Sequence, residues 1–175
     1  VYTFDAESPG DLNNFFLKIR KSIYHQERID QLPFSKAFEL IENKYNTESW
    51  VDPPGYYAVG DRSAWCMDWQ LGWVGGCIAT LPLSISGKPF TKKRSFINYD
   101  LIITRAQSKS GLFYTCSNGK EWVSDCSLGP HPDSLTLLRK NADALYFFYK
   151  YCLIEQAANQ GWIMPQQWKQ PLVKL

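Results

Sequence analysis

Three tryptophans stand four residues apart in one short segment of this chain, with a carboxylate beside the central one. They are Trp65, Trp69 and Trp73, and Asp68 immediately precedes Trp69. In a helix, residues at these intervals share one face, so three indole rings and a carboxylate would form a single wall. Flat rings bury the apolar faces of a ligand while carboxylates and amides bind its hydroxyls, so such a wall would suit a sugar. An aromatic core stripe is the alternative interpretation, and both stay open.

Two carboxylates are candidates for acid and base chemistry. Glycoside hydrolysis generally uses two carboxyl groups that flank the scissile bond, one protonated and one ionised. Asp68 is the candidate acid, because burial among indole rings would favour its protonated form. Asp143 is the candidate base, with Arg139 and Asn141 close by in the sequence to bind sugar hydroxyls. Structural roles compete with both: a carboxylate at a helix N-terminus for Asp68, and an exposed ion pair with Arg139 for Asp143.

Residues predicted to lie in loops complete the candidate site. Trp122 offers a ring for stacking and Asp125 a carboxylate, in a segment that follows a predicted turn. Tyr57 and Asp61 lie in an earlier loop, where Pro53-Pro54-Gly55 excludes a regular helix. Loops on a rigid scaffold commonly carry binding residues, so all four are candidate ligand contacts. For Asp61, a surface turn with a local ion pair is the competing explanation.

Composition excludes several classes of protein. The chain has 175 residues, of which 45% are hydrophobic, so it can build a core. Its 19 Lys and Arg nearly balance its 17 Asp and Glu, so nucleic acid is not an expected partner. No apolar run reaches the roughly 18 residues that a membrane span needs, so no membrane partner is expected either.

The cysteines and histidines do not form a metal-binding pattern. There are five cysteines and two histidines, and no C-x-x-C pair. Zinc sites need closely spaced thiolate or imidazole ligands, so we predict no metal and no other cofactor. The cysteines are predicted to be free and mostly buried, with a bridge between Cys116 and Cys126 as the alternative if the segment between them doubles back.

Apolar periodicity and turn residues predict an all-α chain with one small β-hairpin in a long loop. Asn118-Gly119 marks the turn of that hairpin, between segments 112–116 and 121–123. Glycine is costly within a helix, so Gly72, Gly75 and Gly76 are expected where another backbone approaches closely. The predicted helices cover residues 11–24, with Asp11 or Asn13 as the cap; 33–45, with Phe34, Ala37, Phe38 and Ile41 inward; 69–83; 91–110, with Thr91 as the cap; and 133–159, with Leu138, Ala142, Leu145, Tyr149 and Cys152 as the buried stripe.

Several motifs resemble one known architecture. The segments are Gly72-Trp73-Val74-Gly75-Gly76, Pro82-Leu83, Ser110-Gly111-Leu112-Phe113-Tyr114, the helix around Leu137 to Tyr146, and Gly161-Trp162-Ile163-Met164-Pro165. Together they resemble the (α/α) toroid of six-hairpin glycosidases, over roughly residues 10 to 170. The resemblance implies antiparallel helical hairpins and a cleft at one end of the toroid, where carboxylates cleave or remodel a polysaccharide. It also implies a periplasmic or extracellular location.

The length departs from that pattern. Twelve helices with their connections need on the order of 300 residues, whereas this chain offers five helices and the start of a sixth. Residues 1–175 are therefore expected to form a single domain or, preferably, an excerpt of a larger toroid. A partial toroid leaves apolar faces uncovered, so self-association is expected.

The sequence thus predicts a carbohydrate-active protein, preferably a glycoside hydrolase with a polysaccharide or oligosaccharide as its partner. A non-catalytic carbohydrate-binding protein and a helical structural or interaction domain are the alternatives.

Overall fold

The computed structural model describes residues 8–23, 32–59, 68–125 and 136–174. The chain divides into two units, Val1–Ala37 and Phe38–Leu175. The division falls within helix α2 (Phe34–Lys44).

The first unit contains helix α1 (Pro9–Ile23), close to the predicted range. Ser8 precedes the helix, and Asp11 lies three residues further on. The Asp11 carboxylate accepts hydrogen bonds from the Ser8 backbone N–H and hydroxyl, both at 2.9 Å. Asp11 therefore does stabilise the N-terminus, although from within the first turn and not from the capping position itself.

Helix α2 has the predicted extent, but its buried face differs from the prediction. Of the residues predicted to face inward, Ala37 and Phe38 are half-buried whereas Phe34 and Ile41 are exposed, and the fully buried residue of this helix is Glu42. The spacing of apolar residues could not identify this buried face, because the residue at its centre, Glu42, carries a carboxylate. A single π-helical turn, Tyr45–Ser49, follows α2 and ends at strand β1.

Glu42 makes its contacts at the start of helix α4 (Pro89–Arg105). It accepts 2.6 Å hydrogen bonds from the Lys88 backbone N–H and the Thr91 hydroxyl. Lys88 is the residue at the capping position, and its side chain makes no capping hydrogen bond. The prediction of Thr91 as the cap is therefore wrong: a carboxylate from another helix satisfies the helix N-terminus.

Short antiparallel strands form two sheets. Strand β1 (Trp50–Val51) pairs with β2 (Tyr56–Tyr57). Strand β3 (Trp69–Gln70) pairs with β4 (Cys116–Ser117), which pairs with β5 (Trp122–Val123). The hairpin of β4 and β5 confirms the predicted turn, although its strands are shorter than the predicted segments. The pairing of β3 with that hairpin was not predicted.

The predicted helix over residues 69–83 is wrong in its first half. Trp69 lies in β3, residues 71–76 form turns, and helix α3 spans Cys77–Ser86. A side chain at Gly75 would overlap the Tyr57 carbonyl, and one at Gly76 would overlap the Leu71 carbonyl. The expected close backbone approach at these glycines therefore exists, but in a turn, where the tryptophan spacing no longer defines a shared face.

The core lies among α3, α4, helix α5 (Leu138–Ala158) and helix α6 (Gln166–Val173). Tyr99 of α4 stacks on Tyr151 of α5 at 4.4 Å between ring centroids. Trp168 of α6 packs against Phe148 and donates a 2.8 Å hydrogen bond to the Asp100 carboxylate. These ring contacts tie α5 and α6 to α4 and hold its C-terminal end beside the three-stranded sheet.

The predicted stripe of α5 is largely misplaced around the helix, although Cys152 is buried and Leu145 packs against the core, as predicted. Leu138 is 72% exposed and Tyr149 is 61% exposed, whereas Asn141, Ala144, Phe148, Tyr151 and Cys152 are buried. The buried face is rotated by about one residue, or roughly 100°. The first buried residues of α5 are polar, Lys140 and Asn141, and the apolar periodicity therefore placed the buried face incorrectly.

The described structure is mainly helical, with small antiparallel sheets. This confirms the mainly helical class, and the toroid arrangement stays a prediction. Within the described ranges, no helix combines the length and apolar character needed to span a bilayer.

Candidate functional site

Asp68 is fixed on the edge of the three-stranded sheet. Its backbone N–H donates to the Ser117 carbonyl at 3.1 Å, and its carbonyl accepts from the Val59 N–H at 2.8 Å. Its half-buried side chain accepts a hydrogen bond from the Tyr56 hydroxyl. Tyr56 lies on strand β2 and Asp68 lies next to strand β3, so the orientation of the Asp68 carboxylate is fixed.

The turn of the hairpin comes close to this carboxylate. Gly119 has a φ of +83°, and a Cβ there would lie 2.9 Å from Asp68 Oδ2. The Asn118 side chain accepts hydrogen bonds from the next two backbone N–H groups, of Lys120 at 3.0 Å and Glu121 at 2.8 Å. A glycine and an Asx-type turn therefore bring the hairpin tip against Asp68.

A cavity of about 120 Å³ opens next to Tyr56 and Gly119. We call it the hairpin cavity. Its walls come from the loop between β1 and β2, the three-stranded sheet and the C-terminal part of α4. The described residues that line it are Pro54, Tyr56, Trp69, Leu101, Arg105, Ser117, Gly119, Lys120 and Trp122.

Two indole rings contribute to the cavity in different ways. Trp69 and Trp122 meet edge to face, with centroids 5.2 Å apart. Trp69 is only 1% exposed, and its Nε1–H donates to the Gly75 carbonyl at 3.1 Å. Trp122 is half-buried and keeps part of its ring accessible. Trp69 therefore contributes an almost fully buried ring to the cavity wall in place of the predicted stacking surface, whereas Trp122 lies where a ligand can reach it.

Of the two remaining predicted tryptophans, Trp73 is the one that lies within the described ranges. Trp73 lies in the turn before α3 and is 58% exposed, and it is not among the lining residues. Trp65 and Asp61 lie outside the described residues. The predicted wall of three rings at helical spacing is consequently not present, because Trp69 and Trp73 belong to a strand and a turn.

Tyr57 is a core residue and not a ligand contact. Its side chain is fully buried, and its ring packs edge-on against Trp50 at 5.0 Å. The hydroxyl makes no hydrogen bond of ordinary geometry to the described residues, although Ser95 is among its polar neighbours. Burial raises the pKa of Tyr57 to about 12.

Asp125 belongs to a buried ion pair. Its Oδ2 lies 2.8 Å from Lys140 Nζ and also accepts a hydrogen bond from the Thr115 hydroxyl at 3.1 Å. The side chain of Asp125 has no exposed surface and that of Lys140 is 11% exposed. The predicted ligand contact of Asp125 is therefore corrected to a connection between the sheet and α5.

Asn141 also has a structural role in place of the predicted sugar contact. Its Oδ1 accepts from the Phe113 backbone N–H at 2.7 Å, and its Nδ2 donates to the Phe113 carbonyl at 3.3 Å. By pairing with both backbone polar groups of Phe113, the buried Asn141 amide takes the place of a neighbouring strand.

Arg139 and Asp143 form an ion pair at 3.0 Å on α5. The side chain of Arg139 is 69% exposed and that of Asp143 is 35% exposed, so the pair faces solvent. This is the exposed ion pair predicted from the sequence as the competing role of Asp143. Neither residue is among those described around the hairpin cavity. The structure therefore does not bring the two predicted catalytic carboxylates, Asp68 and Asp143, into one cavity.

Among the described residues, no group of three or more His, Cys, Asp or Glu side chains is arranged to hold a metal ion. Cys77 and Cys152 are free and buried, as predicted, and Cys116 is also buried. Burial raises the pKa of the Cys77 thiol and brings that of Cys152 to about 11, so both stay protonated at neutral pH.

Sequence reasoning missed four polar or aromatic residues of the cavity. They are Tyr56, Arg105, Ser117 and Lys120. A signal existed for two of them, since the predicted Asn118-Gly119 turn lies between Ser117 and Lys120. None existed for Arg105, because nothing in the sequence indicates that the end of α4 lies beside that hairpin.

No protein-family model matches the chain, and neither curated proteins nor solved structures gave a significant match.

Proposed function

We propose that the protein is carbohydrate-active and binds a saccharide at the hairpin cavity, with glycoside hydrolysis of a polysaccharide or its oligomers as the favoured activity. The observation that carries this proposal is that an accessible indole, Trp122, lines one small cavity, while an oriented carboxylate, Asp68, lies beside that cavity against its lining residues Tyr56 and Gly119. An aromatic face with a few fixed polar groups is the usual composition of a sugar site.

The volume limits how a saccharide would bind. Pockets that enclose a whole drug-sized ligand measure roughly 300–1,000 Å³, whereas this cavity measures about 120 Å³. We therefore expect it to take one end of a saccharide, with the remaining units lying across the rim. Trp122 would pack against the apolar face of that terminal ring.

Asp68 is the proposed general acid. Tyr56 donates its hydroxyl hydrogen to Oδ2 of Asp68, which fixes the orientation of the carboxyl group. The proton for the leaving-group oxygen would then be carried on Oδ1. Tyr56 acts here as a positioning residue, because it works through Asp68.

A non-catalytic carbohydrate-binding protein is the second candidate function. The exposed ion pair between Asp143 and Arg139 favours it, because hydrolysis needs a second carboxyl group beside the scissile bond. Asp143 stays our proposed base, and its separation from the cavity is the reason to measure turnover and binding separately.

The test combines both measurements on a panel of oligosaccharides, with wild type, Asp68→Asn and Trp122→Ala compared. Hydrolysis predicts product release that Asp68→Asn reduces by at least about a hundredfold while affinity is kept. Trp122→Ala should weaken binding by roughly tenfold, and Tyr146→Ala, an exposed aromatic of α5, is the matched control. Binding without product supports the second function, and no binding of any saccharide contradicts both.

A further inference from the structure

We infer that the saccharide bound at the hairpin cavity carries an anionic group, either a carboxylate or a sulfate. This inference rests on the proposed function and specifies its substrate class. It starts from two cations among the lining residues, Arg105 and Lys120.

The two cations come from different elements. Arg105 is the last residue of α4, and Lys120 follows Gly119 in the hairpin turn. Both residues are exposed, and neither has a hydrogen bond or ion pair from its side chain to the described part of the chain. They are therefore available to an incoming anion.

Arg105 also lies where a cation is favourable to the fold, because the C-terminus of a helix carries partial negative charge. That explanation covers Arg105 alone. Lys120 lies in a turn, and the hydrogen bond from its backbone N–H to Asn118 Oδ1 fixes the turn from which its side chain extends. Two cations from separate elements at one cavity therefore need a further explanation.

The lining itself carries two positive charges, which the Asp68 carboxylate beside the cavity offsets only in part. None of the described lining residues is acidic. Asp68 beside the cavity accepts the Tyr56 hydroxyl, and the exposed Glu121 is not among the lining residues. A small concave site lined by two cations attracts anions and raises their local concentration.

The chemistry of the two side chains indicates the group that is recognised. A guanidinium matches the two oxygens of a carboxylate or sulfate with two parallel hydrogen bonds, and an ammonium adds a point charge. With Trp122 packing against the sugar ring, the cations would bind a uronic acid carboxylate or a sulfate ester on that ring.

Calorimetric titration of the whole chain tests this inference. The probes are a galacturonic acid trimer, a sulfated disaccharide and neutral cellotriose, each at about 0.05 M and about 0.5 M salt. We expect one of the acidic probes to bind at least tenfold more tightly than the neutral one, and its affinity to fall at high salt. Arg105→Gln and Lys120→Gln should each weaken the acidic probe by about three- to tenfold and weaken the neutral probe less.

Lys93→Gln is the matched control, because Lys93 is an exposed cation near the opposite end of the same helix. Thermal unfolding of each variant verifies that it folds. Equal affinity for acidic and neutral saccharides, or acidic binding that both variants leave unchanged, overturns the inference while the proposed function stands. Absence of binding by all saccharides overturns the proposed function as well.

Discussion

The Asn98 side chain donates a 2.7 Å hydrogen bond to the Gly75 carbonyl. The same amide donates to the Thr80 hydroxyl at 2.8 Å and accepts from the Tyr57 backbone N–H at 3.3 Å. One fully buried side chain of α4 therefore joins β2, the glycine turn and the first turns of α3. These elements also support the strand that follows Asp68.

Replacing Asn98 with alanine should lower the free energy of unfolding by about 2–4 kcal/mol, because three buried polar groups each lose one hydrogen bond. Urea denaturation measures this change. Asn43→Ala is the control, since Asn43 is exposed on α2, and it should stay within about 0.5 kcal/mol of wild type. An equal, small effect of both substitutions would contradict the structural role of Asn98.

Glu42→Ala should destabilise the second unit by about 2–3 kcal/mol. The substitution removes the acceptor for the Lys88 N–H and the Thr91 hydroxyl, and a buried donor without a partner is costly. Chemical denaturation of Glu42→Ala and of a control variant, Glu48→Ala, tests the assignment. Glu48 is exposed, and its carboxylate lies 4.0 Å from Lys44 in a surface pair, which contributes little to stability. If Glu42→Ala destabilises the protein no more than Glu48→Ala does, the hydrogen bonds of Glu42 to Lys88 and Thr91 would be contradicted.

The pair of Lys140 and Asp125 should behave differently from the surface pair on the same helix. Lys140→Met leaves a buried carboxylate without its cation and should cost about 3–5 kcal/mol, while adding Asp125→Asn should recover part of that loss. A double-mutant cycle by denaturant unfolding gives the coupling energy.

The exposed Arg139 and Asp143 pair supplies the reference cycle, for which we expect a coupling of about 0.3–0.5 kcal/mol. Coupling energies of similar size in the two cycles would show that burial of the Lys140 pair has been assigned wrongly.

Tyr57 should make the fold sensitive to alkaline pH. Its pKa rises from the ordinary value of 10.0 to about 12 on folding, because burial disfavours the phenolate. The folded state therefore binds this proton more tightly, so the contribution to stability is fully present below pH 10.0 and is lost as the pH rises toward about 12. In this window one such group lowers the unfolding free energy by up to about 1.4 kcal/mol per pH unit.

Denaturation of wild type and Tyr57→Phe between pH 8 and 11.5 tests this effect. The variant should lose less stability above pH 10 and be close to wild type at neutral pH, because the hydroxyl makes no regular hydrogen bond that phenylalanine would lack. Parallel pH profiles for the two proteins would mean that Tyr57 does not ionise with a raised pKa. Other buried groups, Tyr99 and Cys77 among them, add to the alkaline loss in both proteins.

The sequence was sufficient for the helices with regular apolar spacing or clear end signals. The extents of α1 and α2 follow from such patterns, and Asn118-Gly119 located the hairpin turn. The sequence was insufficient for helices whose buried face includes a polar residue. Glu42 and Asn141 each occupy such a position, and periodicity of apolar residues cannot identify a buried carboxylate or amide whose partners are distant in the chain.

The tryptophan spacing shows a second kind of failure. An interval of four residues is informative only within a helix, and the glycines after Trp69 instead form a turn whose backbone is in contact with Tyr57 and Leu71. The candidate site changed accordingly: Trp122 lines the cavity, Asp68 lies beside it, Trp69 contributes an almost fully buried ring to its wall, and Arg105 enters it from the end of α4. Only the tertiary packing of α4 beside the hairpin brings that arginine into place.

The most direct measurement is a crystal structure of the chain with a bound oligosaccharide. We predict a sugar ring packed against Trp122 in the hairpin cavity, with one of its polar atoms within about 3 Å of Asp68. A saccharide bound elsewhere, for example against the exposed Trp73, with the hairpin cavity left without sugar, would contradict the account.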